Sequence, residues 1–136
     1  MNNVTDKNGM IWFDRYAFPS YWGFCPNEKV WAKQMKELGR GQDPYPEFET
    51  DTDALVSEFM SYNHHHFIIV TLGDFKGQDP INTVSAIAHE IEHVWQKIKA
   101  HIGEDKPGNE TEAYVKQDMI ASMLHAYEEH RHRLFK

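Results

Sequence analysis

The apolar and polar positions in the first third of the chain predict short extended segments and one helix. Aromatic residues mix with proline and glycine between Trp12 and Gly23, which is typical of a short strand or an irregular arm that packs on a core. Asn27 is a suitable N-cap for a helix that ends at Gly39. Within that helix, apolar residues recur every three or four positions, at Val30, Trp31, Met35 and Leu38. This stripe predicts a helix with one face against the core.

The middle of the chain predicts a loop followed by a hairpin. The stretch from Gly39 to Asp53 has two glycines, two prolines and several acids, so it indicates a connector without regular structure. Ala54 to Met60 fits the spacing of either a helix or an alternating strand. We favour the strand, because the run that follows, Phe67 to Leu72 (FIIVTL), is rich in β-branched residues and ends at a glycine.

The second half of the chain predicts two long helices. Asn82 to His101 forms the first, closed by Gly103, and its apolar residues cover more than one stripe, as expected when other elements contact it on two sides. The second runs from about Asn109 to Leu134. Its core positions are predicted to be Ala113, Ile120, Met123, Leu124 and Tyr127. The elements together predict an α+β fold in which a small antiparallel or mixed sheet packs on the two helices.

Length and composition restrict the organisation and the partners. A chain of 136 residues with 40% hydrophobic residues forms one modest core, so we expect a single domain over residues 1–136. The formal charge of −7 disfavours nucleic acids and anionic membranes as partners. No apolar run is long enough to span a bilayer and the start lacks the features of a secretory signal, so we expect a cytoplasmic protein. Cys25, the single cysteine, excludes an internal disulfide.

The sequence His89-Glu90-Ile91-Glu92-His93 is an H-E-x-x-H motif inside the first predicted long helix. Residues four apart on a helix lie one turn above each other, so both imidazoles can reach one ion. Glu90 is offset by one residue, which keeps it off the ion but close enough to act as a general base on water. The motif therefore predicts a zinc site with Glu90 beside it.

A third zinc ligand is expected after the loop that follows, where Asn109-Glu110-Thr111-Glu112-Ala113-Tyr114 opens the last helix. From about Ser85 to Gln117 the chain resembles the gluzincins, metallopeptidases with two His and one Glu on zinc. The resemblance implies Glu110 as the third ligand, with Ala113 three residues later as in that family. Glu112 is the alternative, although it lies roughly 200° round the helix from Glu110. The family often has Asp where this chain has Tyr114, which is a departure from its pattern.

The gluzincin resemblance also implies the fold and the reaction. It implies a minimal zincin-like domain in which Phe67 to Leu72 is the edge strand above the active helix, where an extended peptide substrate can pair. Zn²⁺ would activate a water for peptide hydrolysis, with Glu90 as base and then proton donor. Candidates to stabilise the oxyanion are Tyr114, taken first, and Tyr127, His125 and His130. The chain is also similar to small phage and prophage proteins that have the same motif, which suggests the host cytoplasm as its location.

Two alternatives to an active peptidase stay open. The chain could be an inactive, zinc-stabilised binding protein that acts on a host or virion partner by contact alone. Non-haem iron at the same residues is disfavoured by the helical spacing and the adjacent glutamate. Elsewhere, the consecutive histidines His64, His65 and His66 are interpreted as a surface turn, because neighbours on a strand alternate faces. Gln96, one turn after His93, is a candidate to face the zinc site.

Overall fold

The computed structural model describes residues 3–104 and 106–135 and has the α+β architecture that the sequence predicts. Short strands and one helix come first, a hairpin follows, and two long helices end the chain. The elements are β1 (Val4–Thr5), β2 (Ile11–Trp12), β3 (Tyr21–Cys25), α1 (Glu28–Glu37), β4 (Ala54–Met60), β5 (His66–Leu72), α2 (Pro80–Ile102) and α3 (Asn109–His130). Over the described residues, no helix is long and apolar enough to cross a membrane.

The five strands form one mixed sheet in the order β1-β2-β3-β5-β4. The predicted hairpin is confirmed, since β4 pairs antiparallel with β5, while β3 pairs parallel with β5 on the other side. The prediction that Phe67 to Leu72 forms the edge strand is wrong. All seven residues of β5 are buried, as expected for a continuous apolar run, and the strand lies between β3 and β4. The edge strand is β4, which has partly and fully exposed residues.

The two faces of the sheet have separate hydrophobic clusters. Ile68, Val70 and Leu72 of β5 pack with α2 and α3, whereas Phe67 and Ile69 pack with α1 on the opposite face. This alternation follows from the two-residue period of a strand. The sheet therefore lies between α1 on one side and the pair α2 and α3 on the other.

Sequence signals at the helix ends place α1 and α2 close to where they were predicted. The side chain of Asn27 accepts a hydrogen bond from the N–H of Val30 at 3.0 Å, as an N-cap does. Pro80 occupies the first turn of α2, where its missing N–H costs nothing. Gly103 ends α2 with a φ of 71°, a left-handed conformation that favours glycine.

The last helix begins at Asn109 as predicted but ends before its predicted end. It stops at His130 rather than Leu134, because the chain turns back there and the N–H of Leu134 binds Glu128 Oε2 at 2.9 Å. Leu134 then packs against the core from outside the helix. Ala113, predicted to be a core residue, is exposed, since the buried positions of α3 begin only at Met119.

Candidate metal centre

The two histidines of the H-E-x-x-H motif lie on one flank of α2. The helix is anchored by a stripe of buried side chains, which are Ile87, Ile91, Val94, Trp95 and Ile98. His89 and His93 fall outside this stripe and face β4, where they line a cleft together with Ala54, Leu55 and Val56. Apolar anchoring of the helix therefore fixes the position of the two imidazoles beside the edge strand.

The imidazoles of His89 and His93 lie within hydrogen-bond distance of each other through their Nε2 atoms. Their Nε2 atoms are 3.1 Å apart, and the rings are 4.7 Å apart at an interplanar angle of 81°. Two nitrogens bound to a tetrahedral zinc at about 2.0–2.1 Å would be separated by about 3.3 Å. The observed separation is close to that value, so the pair fits zinc with little rearrangement.

Gln96 forms a hydrogen bond that orients the second histidine. His93 Nδ1 is 3.1 Å from Gln96 Oε1. An amide oxygen only accepts, so His93 donates its proton from Nδ1 and keeps the lone pair of Nε2 directed at His89. A hydrogen bond of this kind to the far nitrogen is the usual means by which a protein fixes the tautomer of a metal-binding histidine.

Glu90 is half-buried in the same cleft as the two histidines. Burial raises the pKa of its carboxyl above the ordinary value, while the adjacent His93 and His89 act in the opposite direction. Lys97 lies at the far end of the cleft, which has a volume of about 410 Å³. The motif thus presents a carboxylate next to the imidazole pair and in contact with a space that a substrate group can enter.

The structure does not bring the predicted third ligand to the histidine pair. Glu110 is exposed at the start of α3. Glu112 instead faces α2, where Lys116 binds both Glu112 at 2.8 Å and Glu92 at 2.6 Å. Because Glu110 lies roughly 200° from Glu112 on the helix, it points away from α2. Over residues 3–104 and 106–135, no group of three His, Cys, Asp or Glu side chains is arranged to hold a metal.

The oxyanion candidates also lie outside the cleft. Tyr114 is 67% exposed on α3, and His125 and His130 are exposed on the same helix. Tyr127 is buried, and its hydroxyl accepts a hydrogen bond from the N–H of Phe75 at 3.1 Å. Among the described residues, the cleft lining includes none of these four. The lining cation is Lys97, a residue that sequence analysis did not single out.

The histidine triplet separates into two exposed residues and one buried residue. His64 and His65 are exposed, as a surface turn requires, and His64 has a positive φ of 65°. His66 is only 4% exposed, so its assignment to the turn is wrong. Its Nδ1 is 2.6 Å from Ser20 Oγ and its Nε2 is 2.6 Å from Glu58 Oε2.

The sequence position of His66 could have predicted its burial, because His66 directly precedes the apolar run that forms the central strand β5. Its ring also stacks on that of His101, with centroids 4.0 Å apart. His101 is exposed on α2, about three helical turns after His89. The pair His66 and His101 therefore lies further along the contact between α2 and β4 than the pair His89 and His93.

Comparison with known proteins adds no family to these observations. No protein-family model, curated protein or solved structure matches the chain. The resemblance to gluzincins therefore rests on the residues of the motif and on the sequence that follows it.

Proposed function

We propose that this protein is a zinc-dependent metallopeptidase in which His89 and His93 bind the ion and Glu90 is the general base. The observation that supports it best is the pair of Nε2 atoms 3.1 Å apart with Glu90 in the same cleft. Glu90 distinguishes this pair from two surface histidines that only share a hydrogen bond. A purely structural zinc site, in turn, has no use for a carboxylate at Glu90.

Zinc held by this pair would supply Lewis-acid chemistry, which polarises a carbonyl group and acidifies water. Gln96 holds His93 in the tautomer that such binding needs. Glu90 takes one proton from the attacking water as the water oxygen bonds to the peptide carbon. When the C–N bond breaks, Glu90 returns that proton to the leaving amine.

The edge strand β4 offers the means to hold an extended peptide over the site. Its inner side pairs with β5, and the opposite side is the end of the sheet. Backbone groups on such an edge can bind a peptide as one more strand, and the side chains then enter neighbouring pockets. The cleft of the histidine pair begins at Ala54, Leu55 and Val56 of this strand. A peptide on the edge of β4 would thus pass beside Glu90.

Glu110 stays the predicted third ligand of the proposed site. In the structure α3 packs on the flank of α2 that carries Glu92, whereas the histidine pair faces β4, so Glu110 reaches the pair only if the start of α3 moves towards β4. We expect Glu110→Ala to lower zinc affinity and Glu112→Ala to leave it unchanged. If Glu112→Ala alone removed zinc, the choice of ligand would be wrong.

The variant Glu90→Gln tests the proposed reaction directly. It keeps the size of the side chain but cannot take a proton, so kcat/KM for an unstructured protein substrate should fall by about 100-fold or more. Zinc content and thermal stability should stay as in the parent. Glu92→Gln is the matched control, since Glu92 is two residues away on the same helix but binds Lys116 on the flank that faces α3.

The outcomes of that experiment separate the proposal from its main rival. Activity lost in Glu90→Gln and kept in Glu92→Gln supports a peptidase. Equal activity in parent and Glu90→Gln refutes the assigned base. A parent that binds one zinc tightly but cleaves none of a broad set of peptides and denatured proteins would favour the zinc-stabilised binding protein.

A further inference from the structure

A second site lies on the opposite face of the sheet from the histidine pair, beside α1. It is a cavity of about 480 Å³, which we call the aromatic cavity. Trp12, Tyr21 and Phe67 from three strands form its floor, and the second half of α1 and the turn between β4 and β5 form its walls. Its volume falls within the roughly 300–1,000 Å³ that small-molecule sites occupy.

The floor of the aromatic cavity is held in place by specific contacts. Tyr21 and Phe67 are direct cross-strand partners whose rings stack 4.9 Å apart. The indole of Trp12 lies 5.6 Å from Phe67, and its N–H donates to Asp6 Oδ2 at 2.8 Å. A side chain at Gly23 would meet the indole at 2.7 Å, so glycine there lets the indole lie over the strand. The chain thus provides an aromatic surface in which Trp12 and Tyr21 are partly exposed beside the more deeply buried Phe67.

The hydrogen-bond acceptors around the aromatic cavity are already engaged. Asp6 accepts from the N–H groups of Asn8 and Met10 in addition to the indole. The oxygen of Gln34 accepts from Asn8 Nδ2 at 3.1 Å. Glu37 binds Asn8 and lies 3.5 Å from Lys7, so its charge is offset.

The donors, in contrast, keep unused capacity. Since its oxygen faces Asn8, the amide of Gln34 has its NH₂ group left to donate. Asn63 is oriented in the same way, because its oxygen accepts from Ser61. The guanidinium of Arg15 lies 3.6 Å above the ring of Tyr21 and donates from Nη2 to the carbonyl oxygen of Pro19 at 2.8 Å, while its buried Nε has no partner among the described residues. A ligand of this cavity therefore has to supply acceptors and, near Arg15, a negative charge.

We propose that the aromatic cavity binds a flat aromatic carboxylate. The ring of the ligand lies on the floor of Trp12 and Phe67, and its carboxylate accepts from Arg15, with Gln34 as a further donor. Charge-assisted bonds from a guanidinium to a carboxylate are the strong ones, and they supply orientation as well as affinity. The inference is independent of the zinc site, since no residue is shared between the two.

Titration calorimetry with three probes that share one ring system tests this proposal. The intact chain should bind 2-naphthoate saturably, one per chain, and bind 2-naphthylmethylamine at least tenfold more weakly. In Arg15→Gln, binding of 2-naphthoate should weaken about tenfold or more, because a charge-assisted bond is lost. The parent and Arg15→Gln should bind the neutral methyl ester of 2-naphthoate with affinities within about twofold of each other. This result would show that the aromatic floor is intact in the variant.

A second pair of variants guards against a folding defect in Arg15→Gln. Tyr62 at the mouth of the cavity is 74% exposed, so Tyr62→Ala leaves the core intact and should weaken the acid and the ester alike. Tyr114→Ala, which removes an exposed aromatic residue from α3, should change neither. The proposal is overturned if the parent shows no saturable binding of 2-naphthoate at millimolar concentration, if the amine binds as tightly as the acid, or if Arg15→Gln binds the acid unchanged.

Discussion

Replacing Gln96 with alanine removes the acceptor that holds His93 in one tautomer. The bond from His93 Nδ1 to Gln96 Oε1 is 3.1 Å long, and its loss lets the imidazole turn and place its proton on the nitrogen that binds metal. Loss of such a supporting partner typically lowers metal affinity by 10- to 100-fold. Gln96 is exposed, so water can take part of its place. We therefore expect the lower end, about tenfold, or about 1.4 kcal/mol.

Competition against a chelator of known zinc affinity at pH 7.5 measures this effect. Gln96→Glu should bind zinc at least as tightly as the parent, because a carboxylate is a better acceptor for the Nδ1 proton. Gln117→Ala, at an exposed glutamine on α3, is the control and should have no effect. Gln96 does not hold the tautomer of His93 if Gln96→Ala binds zinc within twofold of the parent, or if Gln96→Glu loses as much affinity as the alanine variant.

Two further predictions concern stability and reactivity away from the zinc site. His66→Ala should lower the free energy of unfolding, measured in urea, by about 2–3 kcal/mol, because it leaves the buried Ser20 hydroxyl without its partner and removes the bond to Glu58. Zinc stoichiometry should not change. A loss below about 0.5 kcal/mol would contradict a structural role for the buried His66. Burial raises the pKa of Cys25 from 9.0 to about 12, so a thiol reagent at pH 8 should react about 1,000-fold more slowly with the folded than with the urea-unfolded chain. Rapid modification of the folded chain would show instead that the thiol is accessible. The same pKa shift predicts that the contribution of Cys25 to the free energy of unfolding is full below pH 9 and is lost as the pH rises towards 12.

The sequence predicted most of the fold because its local signals are strong. Caps and glycines marked α1 and α2, and the apolar run of β5 marked a strand. The pattern could not show that β5 is central, because a buried run looks the same whether it has one or two neighbours. That required the parallel pairing of β3 with β5, which joins residues more than 40 positions apart. The end of α3 was missed because nothing in its helical pattern signals the turn after His130.

The part of the candidate site that lies on α2 could be predicted from helix geometry. His89, Glu90, His93 and Gln96 lie within two turns of one helix, so their relative positions follow from its period. Glu110 lies on another helix, and whether it faces α2 depends on the rotation of α3, which is set by the buried side chains from Met119 onwards. A motif cannot encode such packing.

The most direct test of the account is the zinc content of the untagged chain and of His93→Ala, measured by elemental mass spectrometry after dialysis against zinc and then against metal-free buffer. His65→Ala serves as the control, because His65 is exposed on the turn between β4 and β5 and does not line the cleft of the histidine pair. The account predicts about one zinc per chain in the parent and in His65→Ala, and little or none in His93→Ala. A parent without zinc, or equal zinc in all three, would contradict the claim that the two histidines of α2 form a metal centre.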